Sequence, residues 1–135
     1  VHIATHGQFS SNVDKTFILT WDEQLNILQL EKLLRGQEIE LLVLSACESA
    51  AGDRRAALGL AGMAVRSGAR STLATLWSVN DEASAQFMNY FYQALAGKTM
   101  TKAQAVQEAQ SKLLTEPKFQ HPFYWSAYIL IGNWL

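Results

Sequence analysis

Two residues able to run thiol chemistry together, His6 and Cys47, stand about 40 positions apart in this chain. Cys47 is its one cysteine and sits in the stretch LLVLSACESAAGD, residues 41 to 53. A free thiol titrates near 8.5, so only a few per cent is nucleophilic thiolate at neutral pH. A nearby imidazole and a helix N-terminus close behind the cysteine would raise that fraction. Four apolar residues lead up to the sulfur, and Ala50, Ala51 and Gly52 follow it. Such small residues let a substrate backbone approach closely, and backbone N–H groups among them could receive an oxyanion. The plainer alternative is a cysteine buried as a small hydrophobe beside a hydrogen-bonded histidine. Spacing by itself leaves both readings open.

Other chemistries fit less well. A cysteine-phosphatase loop needs an arginine clamp where Asp53 stands, and Arg54 comes one residue late. A metal would have to use His2, His6, Cys47 or His121. His2 and His6 share one face of a strand but lie roughly 13 Å apart at about 3.3 Å per residue. One zinc ion cannot bridge that at bond lengths near 2 Å. No metal or other cofactor is expected. A serine nucleophile elbow is missing, and Gly59 and Gly62 in LGLAG read as close helix packing.

The elements that must position these residues follow from the apolar pattern. VHIATHG reads as a strand over about 1–6, and QFSSNVDK as a polar loop. TFILTWDEQLNIL reads as a small hairpin turning near Asp22 to Gln24. LQLEKLLRG predicts a helix with Leu30, Leu33 and Leu34 on one face and Gly36 as its stop. ELLVLSAC is a continuous apolar run, as in a strand buried on both faces. A helix over 56–67 stops at Gly68, and STLATLWS is another buried strand. DEASAQFMNYFYQALAG follows as a helix, with Asp81 and Glu82 at its positive end and Gly97 as its stop. TKAQAVQEAQSKLL is a further helix, with Thr101 and Gln104 at capping-box spacing. SAYILIG closes the chain as a last strand.

Strands alternating with helices predict an α/β fold with a mainly parallel sheet covered on both faces. In such sheets the working site lies beyond the carboxyl ends of the strands. His6-Gly7, the segment around Cys47, and Trp77 to Asp81 fall there. Parallel neighbouring strands about 4.8 Å apart would bring His6 and Cys47 to one substrate.

Composition bounds the rest. The chain has 135 residues, 49% apolar and 17% charged, enough for one domain with a real core. Its net charge of -1 and lack of a basic block argue against nucleic-acid binding. No apolar run approaches the roughly 20 residues that cross a bilayer, so no membrane partner is expected. A lone cysteine leans towards a reducing, cytoplasmic home. Val1 opens a strand at once, which reads as a piece cut from a longer protein.

HIATHG followed by LLVLSACESAAGD resembles the caspase-like (clan CD) cysteine peptidases. GLAGMAVRSGARSTLATLWSVNDEAS and HPFYWSAYILIGNW are similar to the CHAT domain, a branch related to caspases and separases, and the resemblance spans residues 1–135. It implies a partial CHAT domain with a caspase-like three-layer α-β-α sandwich whose N-terminal strands are missing, leaving the edge of the first strand unpaired. It implies a cysteine endopeptidase acting on protein or peptide substrates, as part of a larger regulated bacterial protein with an upstream helical-repeat region. By the same resemblance Cys47 is the nucleophile, His6 the catalytic histidine, and the N–H groups of Gly7 and Cys47 the oxyanion hole. Gly7 would keep side-chain atoms away from the substrate carbonyl. Trp77 marks the pocket for the residue before the scissile bond. Ser78 stands where caspases place an arginine, so aspartate specificity is not implied, and Asp81 or Asp53 could hold a basic residue. Against that, Asp81 suits a helix N-terminus, Asp53 a solvated loop, and the aromatic cluster Phe123 to Tyr128 with Trp125 a core. An inactive interaction module and a small-molecule acyl hydrolase are the alternatives.

Overall fold

A computed structural model describes residues 1–8, 13–46 and 68–135. Cys47, Asp53 and the predicted helix over 56–67 lie outside the described residues. Four strands form the main sheet: β1 (His2–Thr5), β5 (Leu42–Ala46), β6 (Ser71–Thr75) and β7 (Tyr128–Gly132), in the order β1-β5-β6-β7. The first three run parallel and β7 runs antiparallel beside β6. Three short strands, β2 (Gly7–Gln8), β3 (Phe17–Leu19) and β4 (Gln24–Asn26), make a second, antiparallel sheet. The helices are α1 (Ile27–Leu34), α2 (Asp81–Ala96), α3 (Lys102–Thr115) and the single turn α4 (Pro122–Trp125).

The apolar strands bury both faces because successive side chains point opposite ways. Val43, Leu73 and Tyr128 enter one core with Ala83, Phe87 and Phe91 of α2 and Ala105, Ala109 and Leu113 of α3. Leu42, Leu44 and Ala74 enter the other with Ile27, Leu30 and Leu34 of α1 and Ile18 of the hairpin. The result is the expected α/β arrangement, a mostly parallel sheet between helical layers. Phe87 stacks flat on Tyr128, with ring centroids 3.4 Å apart, and each such buried aromatic contributes several kcal/mol, about 3–5 by truncation to Ala.

Several details depart from the sequence reading. Leu33 is 62% exposed, and the buried stripe of α1 is Ile27, Leu30, Glu31 and Leu34. The helix starts at Ile27 on an Asn26–Gln29 capping box, and Glu31 can enter the stripe because Arg35 pairs with it at 2.9 Å. The hairpin turn is Thr20 to Glu23, closed by the Thr20 N–H donating to Glu23 O at 2.8 Å. The supposed loop after Gly7 begins with a strand, β2. Gly97 ends α2 in a right-handed conformation, and the left-handed residue is Lys98, with φ of 55°. Gly36 does take a positive φ, 83°, as a helix stop should. The Thr101–Gln104 capping box is formed. Phe123 is 46% exposed and so is not core, whereas Tyr128 is buried.

At the far end of the sheet from His6, the buried Lys102 ammonium donates to a Glu40 carboxylate oxygen and to Leu135 O, each at 2.6 Å. Lys102, and then Arg70, hold the Glu40 carboxyl below its ordinary range. Among the described residues, no helix is long and apolar enough to cross a membrane.

Candidate active site

β1 carries His6 to the carboxyl edge of the sheet. It pairs with β5 in parallel, and its last residue, Thr5, sits opposite Ala46. The next position along β1 is His6, and the next residue in sequence after Ala46 is Cys47. The two strands are thus parallel neighbours in register up to Thr5 and Ala46, about 4.8 Å apart.

His6 is also the junction between the two sheets, the single residue between β1 and β2. Its carbonyl accepts from the Leu19 N–H at 2.7 Å. Next to it, the Thr5 hydroxyl donates to Leu19 O at 2.6 Å. Pairs in an antiparallel ladder alternate between bonded and non-bonded. His6 and Leu19 form a bonded pair, so Gly7 and Ile18, the next pair along, form a non-bonded one. The Gly7 N–H therefore points away from β3. Close packing gives a second reason for this glycine: a Cβ on Gly7 would lie 2.8 Å from Phe17 O. The sequence reading assigned the glycine to substrate approach alone.

A cavity of about 350 Å³ opens beside His6, between the helix-facing side of β1 and the first turns of α2. His6, Thr5, Ser45, Asp81, Ser84 and Met88 are among its walls, and His2 lines its other end. The period of two explains the strand side, since His2, Ala4 and His6 alternate with Ile3, which packs in the α1 core. Asp81 is the first residue of α2, which Asn80 caps by accepting from the Ala83 N–H at 2.9 Å. His6, expected as the catalytic histidine, and Asp81, expected as a pocket residue, line one cavity.

Trp77 and Ser78 do not line it. The Trp77 indole N–H donates to Phe123 O at 2.9 Å, and its ring tilts against the Phe123 ring. Ser78 is exposed, while Val79 beside it is fully buried and pins the segment. His121 caps α4, with Nδ1 accepting from the Phe123 N–H at 3.2 Å. Trp125 is half-buried and donates its indole N–H to Gln120 O at 3.1 Å.

The sequence reading placed Ser45 in the strand-end segment around Cys47 but gave it no role, missed Ser84 as a cavity wall, and treated His2 only as a metal ligand. The signal was available for two of them, because Ser45 lies two residues before Cys47 and His2 four before His6. His2 Nδ1 lies 3.0 Å from the Tyr92 hydroxyl of α2. Burial, and then the neighbouring N-terminal ammonium, lower the His2 imidazole pKa. Burial alone raises that of Tyr92.

Comparison with known proteins decides the lineage. The family model described as the CHAT domain matches residues 1–133. The chain belongs to the CHAT domain family. That family is related to the caspase-like cysteine peptidases, and the α/β sheet described above is consistent with it. Tetratricopeptide repeat protein 28 of Mus musculus is 33% identical over 98 residues, which cover 70% of this chain and 4% of the relative. The chain thus spans only a small share of the length of that relative.

Proposed function

We propose that this CHAT domain is the catalytic portion of a cysteine endopeptidase, with Cys47 as nucleophile and His6 as its acid–base partner. The observation that carries this reading is the parallel register of β1 and β5, with Thr5 opposite Ala46. One step further on each strand come a histidine and a cysteine.

In this reaction the Cys47 thiolate adds to the peptide carbonyl carbon, forming a C–S bond and an oxyanion. The N–H groups of Gly7 and Cys47 receive that oxyanion, and the outward-pointing Gly7 N–H supports the assignment. The C–N bond then breaks, and the His6 imidazolium gives its proton to the departing amine. Water cleaves the thioester, with His6 taking the water's proton, and the thiol is restored. Asp81 sits at the cavity wall where a carboxylate would hold a lysine or arginine side chain of the substrate. Asp53, lying six residues beyond Cys47, remains a second acidic group for that role. Trp77 and Ser78 would border it from the next strand end.

The relative's tetratricopeptide name supports an upstream helical-repeat region in the full-length protein. The lone cysteine supports a reducing, cytoplasmic setting.

The deciding experiment is cleavage of a peptide library, with covalent labelling of Cys47 by a peptidyl electrophile. Cleavage that vanishes in Cys47→Ala, and labelling that substrate competes away, are the expected results. Labelling unchanged between pH 5 and 9, with no peptide cleaved, would mean an inactive interaction module. Turnover that ignores peptide length would mean a small-molecule acyl hydrolase.

A further inference from the structure

The β3–β4 hairpin ends in an unusual turn. Trp21 at its tip is fully exposed, with a relative accessibility of 103%, and Leu19 two residues earlier is 36% exposed. Tryptophan is among the side chains with most to gain from burial, and at exposed positions it is enriched where proteins meet partners. Asp22 and Glu23 follow it directly and are also exposed. Among the described residues neither carboxylate makes an ion pair. The turn is closed mainly by its own backbone and Thr20. The Thr20 N–H and hydroxyl both donate to Glu23 O, at 2.8 and 2.9 Å, and the Glu23 N–H donates back to the Thr20 hydroxyl at 3.2 Å. The Thr20 hydroxyl also reaches one Asp22 carboxylate oxygen at 3.4 Å, a long contact that leaves that carboxylate with acceptor capacity to spare.

Its place in the fold says which molecule. Leu19 is bonded across the ladder to His6 and through its carbonyl to Thr5, so the turn begins two residues from the candidate dyad. Anything held at Trp21 is held on the hairpin that is bonded to His6. An aromatic face flanked by two carboxylates suits a cation, which the ring quadrupole and the negative charges both attract.

We propose that Trp21, with Leu19, Asp22 and Glu23, is a docking point for a lysine- or arginine-bearing segment of the polypeptide substrate. This rests on the peptidase reading, and it adds a recognition element outside the cavity. Remote binding of this kind favours extended substrates over short ones.

The test measures binding and turnover separately. Binding is read by fluorescence anisotropy of a fluorescein-labelled peptide with a run of lysines, added to the full chain carrying Cys47→Ala. Trp21→Ala should weaken binding about three- to tenfold, as should Asp22→Asn with Glu23→Gln, while Trp21→Phe should retain most of it. The same peptide with glutamates in place of lysines should not bind. Trp21→Ala in the chain with Cys47 intact should then raise KM for a long, lysine-bearing peptide, leaving kcat and the cleavage of a short peptide unchanged. Equal binding by the native chain and Trp21→Ala would overturn the proposal even if peptides are cleaved. Lysine-dependent binding that needs Trp21, with no cleavage of any peptide, would leave the docking point standing and remove the peptidase.

Discussion

β6 and β1 lie in one parallel sheet, two strands apart, and are built on opposite terms. Every residue of β6 from Ser71 to Thr75 is buried, between β5 and β7 and between two helical layers. β1 alternates exposed and half-buried positions, and among the described residues it pairs on one side only. The central strand is held by burial on both faces. The edge strand is held by one ladder and by the hairpin bonded to its end. Of the two candidate residues, His6 follows the second kind of strand, where a polar group can meet solvent without a large desolvation cost, whereas Cys47 follows β5 in the sequence.

That contrast can be broken or sharpened by substitution. His6→Ala should lower kcat/KM by about 10²- to 10⁴-fold. It should move the melting temperature little, since exposed positions usually change stability by about 0.5 kcal/mol or less. Phe87→Ala, beneath the central strands, should cost about 3–5 kcal/mol in urea unfolding, with activity per folded molecule kept. If His6→Ala unfolds the chain instead, the edge strand is structural and the division is wrong.

A glycine pair gives a subtler comparison. A Cβ on Gly132, opposite Ser71 of β6, would lie 2.4 Å from Arg70 O, at a φ of +99°. On Gly7 it would meet Phe17 O at 2.8 Å. Each alanine substitution should cost about 1–3 kcal/mol. Only Gly7→Ala should also lower activity per folded molecule, because it shifts the N–H proposed as an oxyanion donor. Equal activity losses from both would remove Gly7 from the catalytic reading.

How legible the molecule was in its sequence follows the same divide. β5 and β6 could be read because a strand buried on both faces has no polar alternation to confuse it. Helix caps such as Thr101 with Gln104 could be read from local chemistry. The face of α1 was misjudged at Leu33, because an acidic residue, Glu31, took its place in the stripe through a partner one turn away. Lys98 in place of Gly97 as the left-handed residue could not be read, since glycine composition does not report conformation. On the site, residue type pointed to His6, and strand parity could have added His2 and Ser45. That Trp77 turns to Phe123 depends on a contact 46 residues away, which no local pattern carries.

The smallest expected effect concerns pH. Burial holds the His2 imidazole below its usual 6.5. The unfolded chain therefore binds this proton first as pH falls, and folded stability declines from about pH 6.5 down to the folded value, then levels off. Above that window the contribution is constant. Thermal melts of His2→Gln against the native chain should show a shallower decline over the same interval. An identical slope would mean that the far end of the cavity is open to water.

His6 belongs to two ladders at once, by sequence to the strand beside β5 and by its carbonyl to the hairpin. Mechanically it is a fulcrum. The hairpin that runs on to the turn at Trp21 is thereby tied to the His6 backbone at one point, so the position of the imidazole is set by two sheets together.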